Sequence, residues 1–195
     1  MSDEGREETV AEAVETPVEE PAAAGAPEQV PEEAGFPVPD QPVLADLAGR
    51  FPSVRLDISS GQRVAFVPRG ELVEFAAAAR DAGFESCVDI TAVDYLRRRP
   101  RYEVVAMLLS MAHRLRLRLR VDVPGDDPTV PSLVPVYPGA NFYEREAFDM
   151  FGIVFTGHPD LTRILMPDDW EGHPMRKDYP VGTVPVQFKS ANEVR

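Results

Sequence analysis

Hydrophobic and polar positions along residues 41–157 follow the two periods that regular structure imposes. Leu44, Leu47 and Phe51 recur at helical spacing and stop at Pro52, which predicts a short helix over 42–50. Val54, Leu56 and Ile58 alternate with polar neighbours, as a strand with one buried face does, and Ser59-Ser60-Gly61 reads as a turn. Val64-Ala65-Phe66-Val67 predicts a second strand closed by Pro68. From Glu71 to Ala82, Leu72, Phe75, Ala76 and Ala79 share one helical face, and Gly83 is placed as the C-cap. Cys87 to Val93 is β-rich.

The clearest alternation runs from Arg114 to Val121. Leu115, Leu117, Leu119 and Val121 point one way; Arg114, Arg116, Arg118 and Arg120 point the other. A side-chain period of two makes this a strand with an apolar floor and a basic roof. Tyr102 to Met111 is a more continuously apolar strand, separated from the first by only Ala112-His113, which predicts an antiparallel hairpin. The expected fold class is α+β: a mostly antiparallel sheet with helices packed on one face, followed by an extended C-terminal arm.

Beyond Pro124-Gly125-Asp126-Asp127-Pro128 the chain passes through a proline-punctuated link, 131–138, into a helix expected over about 142–151 with Asn141 as its N-cap. Past Gly157 periodicity stops. Pro159, Pro167, Pro174, Pro180 and Pro185 break a segment that still carries Leu161, Ile164, Leu165, Met166, Trp170, Tyr179 and Phe188. It is too apolar for a disordered tail and too broken for a helix, so 158–195 reads as an arm laid on a partner, gaining its order by docking.

Charge separates the first forty residues from the rest. They hold 12 acids and one base, Arg6, or −11 of the chain's −13; residues 41–195 hold 19 bases and 21 acids, or −2. With six prolines and Phe36 as the only aromatic, 1–40 is expected to be a disordered acidic tail. The domain reading is therefore 1–40 tail, 41–157 α+β domain, and 158–195 arm. Cys87 is the single cysteine, so no intrachain disulfide, CxxC zinc site or all-cysteine cluster is expected, and a reducing, cytoplasmic setting fits. No apolar run approaches the roughly 18–20 residues of a spanning helix, and the acidic N-terminus has the wrong sign for a secretory signal. Any membrane contact is expected only through partners.

The candidate chemistry is sparse. His158, Asp160, His173, Asp168, Asp169 and Glu171 could be drawn together as a metal site, and with it a metal hydrolase. The histidines, however, stand apart across Pro159 and Pro167 rather than at i, i+4, and His158 before Pro159 reads better as fixing a turn through its ring nitrogens. Glu144 and Glu146, at i, i+2, point to different sides of a helix and cannot share a proton; Arg145 and Asp149, at i, i+4, suggest an ion pair. Phe148, Met150 and Phe151 divide between core and interface. Arg97, Arg98, Arg99 and Arg101, with the strand arginines, form the one basic concentration. A nucleic-acid-binding module is the alternative of another class, but aromatics do not interleave with these arginines and the tail would repel phosphate, so no nucleic acid is expected. No G-x-G-x-x-G, Walker loop or Gly-x-Ser-x-Gly elbow occurs, and no catalytic, cofactor-binding or metal-ligating residue is assigned.

The run from Pro138-Gly139-Ala140-Asn141 through Glu144-Arg145-Glu146, Asp149-Met150-Phe151-Gly152-Ile153, His158-Pro159-Asp160 and Arg176-Lys177-Asp178-Tyr179-Pro180 closely resembles the thirty-kilodalton (30 kDa) subunit of respiratory NADH–quinone oxidoreductase, complex I. The likeness covers roughly residues 41–190 and is weaker at Val88 to Tyr95; Thr162, before Arg163, departs from the family's usual basic residue or proline. The resemblance implies a hydrophilic peripheral-arm subunit with no cofactor of its own, on the cytoplasmic face of the cell membrane. FMN, iron–sulfur clusters and quinone would be held by neighbouring subunits. Its expected partner is the forty-nine-kilodalton-type (49 kDa-type) subunit, which forms the quinone pocket, together with other peripheral-arm subunits of complex I. The interface it implies comprises Glu144, Arg145, Glu146, Asp149, Met150, Phe151, His158, Asp160, Arg163, Trp170, His173, Arg176, Lys177, Asp178 and Tyr179. The equivalent subunit of a membrane-bound hydrogenase, formate hydrogenlyase or F420H2 dehydrogenase is the near alternative.

Overall fold

Alternating burial draws five strands into one sheet. The computed structural model describes residues 41–180; the acidic segment 1–40 and the end of the expected arm, 181–195, lie outside the described residues. Helix α1 (Pro42–Arg50) leads into β1 (Arg55–Ser59) and β2 (Gln62–Phe66), followed by α2 (Leu72–Asp81) and strands β3 (Ser86–Asp94), β4 (Tyr102–Ser110) and β5 (Leu115–Val123). The sheet order is β1-β2-β5-β4-β3. β1 with β2, β3 with β4, and β4 with β5 pair antiparallel, while β2 and β5 pair parallel. The sheet is thus mixed, and antiparallel at every junction but that between β2 and β5.

The turns follow from local chemistry. Ser59 pairs with Gln62, leaving Ser60 and Gly61 at φ 50° and 71°. Two left-handed residues give the tight turn whose twist matches a hairpin, which only glycine and small polar residues tolerate readily. Between β4 and β5 the loop is four residues rather than the two read from sequence, because the Met111 amide donates to the Glu85 carboxylate at 2.8 Å and leaves the ladder.

Leu117 and Leu119 of β5 are fully buried with Phe75 of α2 and Leu44 and Leu47 of α1. Burying each such side chain contributes roughly 1.5–3 kcal/mol. Phe51 meets Phe75 edge-on, 5.2 Å between centroids. The opposite face carries Arg116, Arg118 and Arg120, the basic roof the alternation predicts.

The link and the last helix differ from expectation in two places. β6 (Thr129–Pro131) and β7 (Val154–Thr156) pair as a small parallel ribbon. Each is three residues long, too short to show a period. Helix α3 spans Ala140–Phe151 and starts two residues early. Asn141 is therefore inside the helix and caps nothing. The leading amides already have partners, since Ala140 N–H reaches the Tyr137 carbonyl at 2.9 Å and Asn141 N–H that of Pro138 at 3.4 Å, so no side-chain cap is required.

Candidate functional site

Residues 158–180 contain no helix or strand, yet they are fastened to α3 and β3 of their own chain. As far as Pro180, the anchoring hydrogen bonds of this segment are made within the chain itself. The anchor is Asp149, fully buried on α3. Its Oδ1 accepts from Arg163 at 2.6 Å, and its Oδ2 accepts the amides of Ile164, Leu165 and Met166 at 3.1, 2.8 and 2.8 Å. Burial alone would raise its pKa. The Met166 amide, Arg163, and the Leu165 and Ile164 amides outweigh that and hold it below the ordinary carboxylate value. Arg163 also donates to the carbonyls of Trp170 (2.9 Å) and Gly172 (3.0 Å), closing the segment on itself.

Arg145 is not the partner of Asp149. Its guanidinium donates to the carbonyls of Thr162 (3.1 Å) and Arg163 (2.9 Å). The i, i+4 spacing permits the ion pair, but three aligned amides and Arg163 satisfy the carboxylate more completely.

The last turn of a helix leaves carbonyls without intrahelical partners. Here the segment supplies them. His173 Nδ1 lies 2.9 Å from the Asp149 carbonyl, Met175 N–H donates to Met150 at 3.0 Å, and Arg176 Nε donates to Phe151 at 2.6 Å. Donors here also favour the negative end of the helix dipole. Gly152 must be glycine: its φ is 71°, and a Cβ would lie 2.5 Å from the His173 ring and strike Arg176.

A second anchor ties the segment to β3. Asp94 is buried at 4% exposure. It accepts from Arg101 (2.9 and 2.7 Å), the Leu96 amide (2.8 Å) and the Lys177 amide (2.9 Å). Burial opposes its ionisation, but Arg101 and the two amides prevail and lower its pKa to about 2. Arg101 then grips Asp178 bidentately at 3.0 and 2.8 Å. Sequence reasoning missed Asp94 and saw Arg101 only as one of a basic cluster; a pair seven residues apart across a loop leaves no periodic trace.

The remaining predicted residues fall into three groups. Glu144 is fully buried, its carboxylate 2.6 Å from both the Ser132 hydroxyl and the Leu133 amide that donate to it, and burial raises its pKa to about 7. Met150 and Phe151, at 7% and 6% exposure, belong to the core. His158 fixes its turn as expected: Nδ1 accepts the Asp160 amide at 3.0 Å, which leaves Nε2–H to donate to the Asn141 carbonyl at 3.2 Å. Tyr179 lies against Gly172, and Trp170 is half-buried with its indole nitrogen covered and unbonded among the described residues. Glu146, Asp160, Lys177 and Asp178 are exposed.

Leu165 and Met175 of the segment and Phe142 of α3, at 56%, 54% and 61% exposure, are large apolar side chains left at the surface. Sequence reasoning named Leu165 only as an apolar part of the arm and passed over the other two. Among the described residues no three His, Cys, Asp or Glu meet as a metal ion would require, and no helix is long and apolar enough to cross a membrane. The arrangement fastens an irregular ribbon and holds apolar side chains outward.

Comparisons converge on one family. The family described as respiratory-chain NADH dehydrogenase, 30 Kd subunit, matches residues 65–184, which include α2, the central strands, α3 and the fastened segment. The C subunit of NADH-quinone oxidoreductase from Saccharopolyspora erythraea is 50% identical over 142 residues, 71% of this chain but 57% of that protein, so the chain spans little more than half of that relative. The proteins of the same name from Herpetosiphon aurantiacus (48% over 145 residues) and Roseiflexus castenholzii (50% over 151) are covered to 85% and 87% of their lengths, by 73% and 75% of this chain. A solved trypsin-resistant fragment of Nqo5 has a TM-score of 0.55 at 36% identity, covering 61% of this chain and 96% of that one. A chain of an archaeal membrane-bound sulfane sulfur reductase, with a TM-score of 0.65 at 22% identity over 77% of this chain and 95% of its own, shares the fold. The chain belongs to the family of the 30-kDa subunit of respiratory-chain NADH dehydrogenase.

Proposed function

We propose that this chain is a structural, non-catalytic subunit of the quinone-reducing module of proton-translocating NADH–quinone oxidoreductase. In this reading it braces the forty-nine-kilodalton-type subunit at the quinone pocket, on the cytoplasmic face of the membrane. FMN, iron–sulfur clusters and quinone belong to neighbouring subunits. The observation that supports this best is the fastening of 158–180 by Asp149 and Asp94, which sets Leu165 and Met175 outward on backbone already held by hydrogen bonds. Apolar anchors on pre-ordered backbone bind with less ordering cost than the same side chains on a free chain. A rigid brace would in turn keep the partner's pocket loops in one arrangement, as a preorganised site needs.

The test replaces both anchors in the encoding organism, Leu165→Asp with Met175→Asp. Both side chains are exposed, so the purified variant should unfold within about 0.5 kcal/mol of the parent. Membrane NADH:quinone activity and co-purification of the forty-nine-kilodalton-type subunit should both be lost. Normal assembly with the double variant would sink this reading.

A further inference from the structure

We propose that the helix-free face of the sheet is a docking surface for an acidic amphipathic helix of another polypeptide, seated along β5 over an arginine-lined hollow. The hollow has a volume of about 560 Å³, and its lining includes Gln62, Met107, Leu109, Arg114, Arg116 and Arg118 but no carboxylate. Elsewhere on this face the cations are answered. Arg120 pairs with Glu103, and Arg98 lies within 3.9 and 3.6 Å of Glu103 and Asp122. Arg114, Arg116 and Arg118 have no ion pair among the described residues, and Nε of Arg118 is covered without a hydrogen-bond partner. The demand for anions is therefore concentrated at one end of the face.

Two parallel rows define the occupant. Arg116 and Arg118 stand two residues apart on one face of β5, about 7 Å at the rise of a strand. On β4, Leu109 lies across from Arg116 and Met107 across from Arg118, about 5 Å to the side. Both are half-buried, and the rows end at Arg114 and the 69%-exposed Met111. A helix answers both rows at once. Its residues four apart share a stripe and lie about 6 Å apart along the axis. Carboxylates at every fourth position meet the arginines, and aliphatic side chains one residue ahead of each meet the apolar row. An extended strand offers only a single row, because its alternate side chains point away. A bare phosphate would leave Met107 and Leu109 without cover. Single-stranded nucleic acid stacks its bases on aromatic side chains, and none lines the hollow. Asp89, across from Met107 on β3, lines the adjoining hollow with Arg118. Its charge keeps the acidic stripe over β5 and turns the aliphatic one towards β4.

The experiment titrates the full, isotope-enriched chain with a synthetic four-turn helical peptide and follows amide shifts by NMR. The peptide carries Glu at every fourth position, Leu one residue ahead of each, and Ala or Gln elsewhere. Shifts should centre on β4 and β5 around Met107, Leu109, Arg116 and Arg118. Affinity should fall about tenfold between about 0.05 M and about 0.5 M salt, where screening becomes short-ranged. It should be lost in the variant Arg116→Glu with Arg118→Glu, and Met111→Ser should weaken it several-fold. Should the double variant fail to fold, a peptide with Gln in place of every Glu must give the same loss from the other side. No shifts on this face overturn the proposal. So does equal binding by a scrambled peptide of the same composition, because charge alone then suffices. Tighter binding of an oligothymidylate of equal charge also overturns it, since the ligand is then nucleic acid. Self-association of the full chain that the arginine variant abolishes does the same, because the occupant is then a second copy.

Discussion

A carboxylate's fate in this chain is decided by the balance between its burial and the donors that meet it. Asp149, Asp94 and Glu144 are all withdrawn from solvent. Asp149 and Asp94 each have an arginine and backbone amides, and both stay ionised below the ordinary range. Glu144 has one hydroxyl and one amide and no cation, and burial carries its pKa up to about 7. Between the unfolded value of 4.5 and the folded value of about 7, the folded chain binds more protons than the unfolded one. Stability from this group is therefore greatest below pH 4.5 and falls as pH rises towards 7, by about 3 kcal/mol on the conversion of pKa to free energy. Gln at 144 can still accept from Leu133 and donate to Ser132. Unfolding free energies of Glu144→Gln relative to the parent should thus rise across pH 4.5–7 and level off above it. A flat difference would show that the carboxyl ionises freely in the fold.

At the scale of elements, α3 and the 158–180 segment form one unit, closed at the helix C-terminus by groups from a later part of the chain. Replacing Asp149 with Asn leaves Arg163 uncompensated and sets an amide group among three backbone donors. Loss of a partner for a buried charge costs about 3–5 kcal/mol. Asp149→Asn should lower the urea midpoint accordingly, whereas Glu146→Ala, one turn away and exposed, should stay within about 0.5 kcal/mol. Equal midpoints for the two would mean the segment is not held through α3. The regular elements were legible because their periods are strong: the arginine–leucine alternation of β5 needs nothing beyond its own residues. The anchors were not. Asp149 meets amides fifteen to seventeen residues on, and Asp94 meets an amide 83 residues away, distances at which no local pattern survives. Asn141 misled because a backbone turn did the capping, and Arg145 misled because helical spacing allows a pair without selecting it.

For the whole molecule, an α+β domain with one apolar-packed face leaves two distinctive surfaces uncovered among the described residues. One is the arginine face; the other is the irregular ribbon with Leu165 and Met175 held outward. Family membership was legible from the run between Pro138 and Pro180, since the residues that carry the resemblance include those that fasten the ribbon. What the sequence hid was where the partners of this proline-broken stretch lie: the amides of Ile164, Leu165, Met166 and Met175 are bonded to groups of α3 in the same chain. The direct measurement is hydrogen exchange on the isolated full chain, followed at the amides of Ile164, Leu165, Met166 and Met175. If the ribbon is built before docking, these amides exchange as slowly as those at the C-terminal end of α3 with no partner present. Exchange at the rate of an unstructured peptide, slowed only once partner subunits are added, would contradict the account.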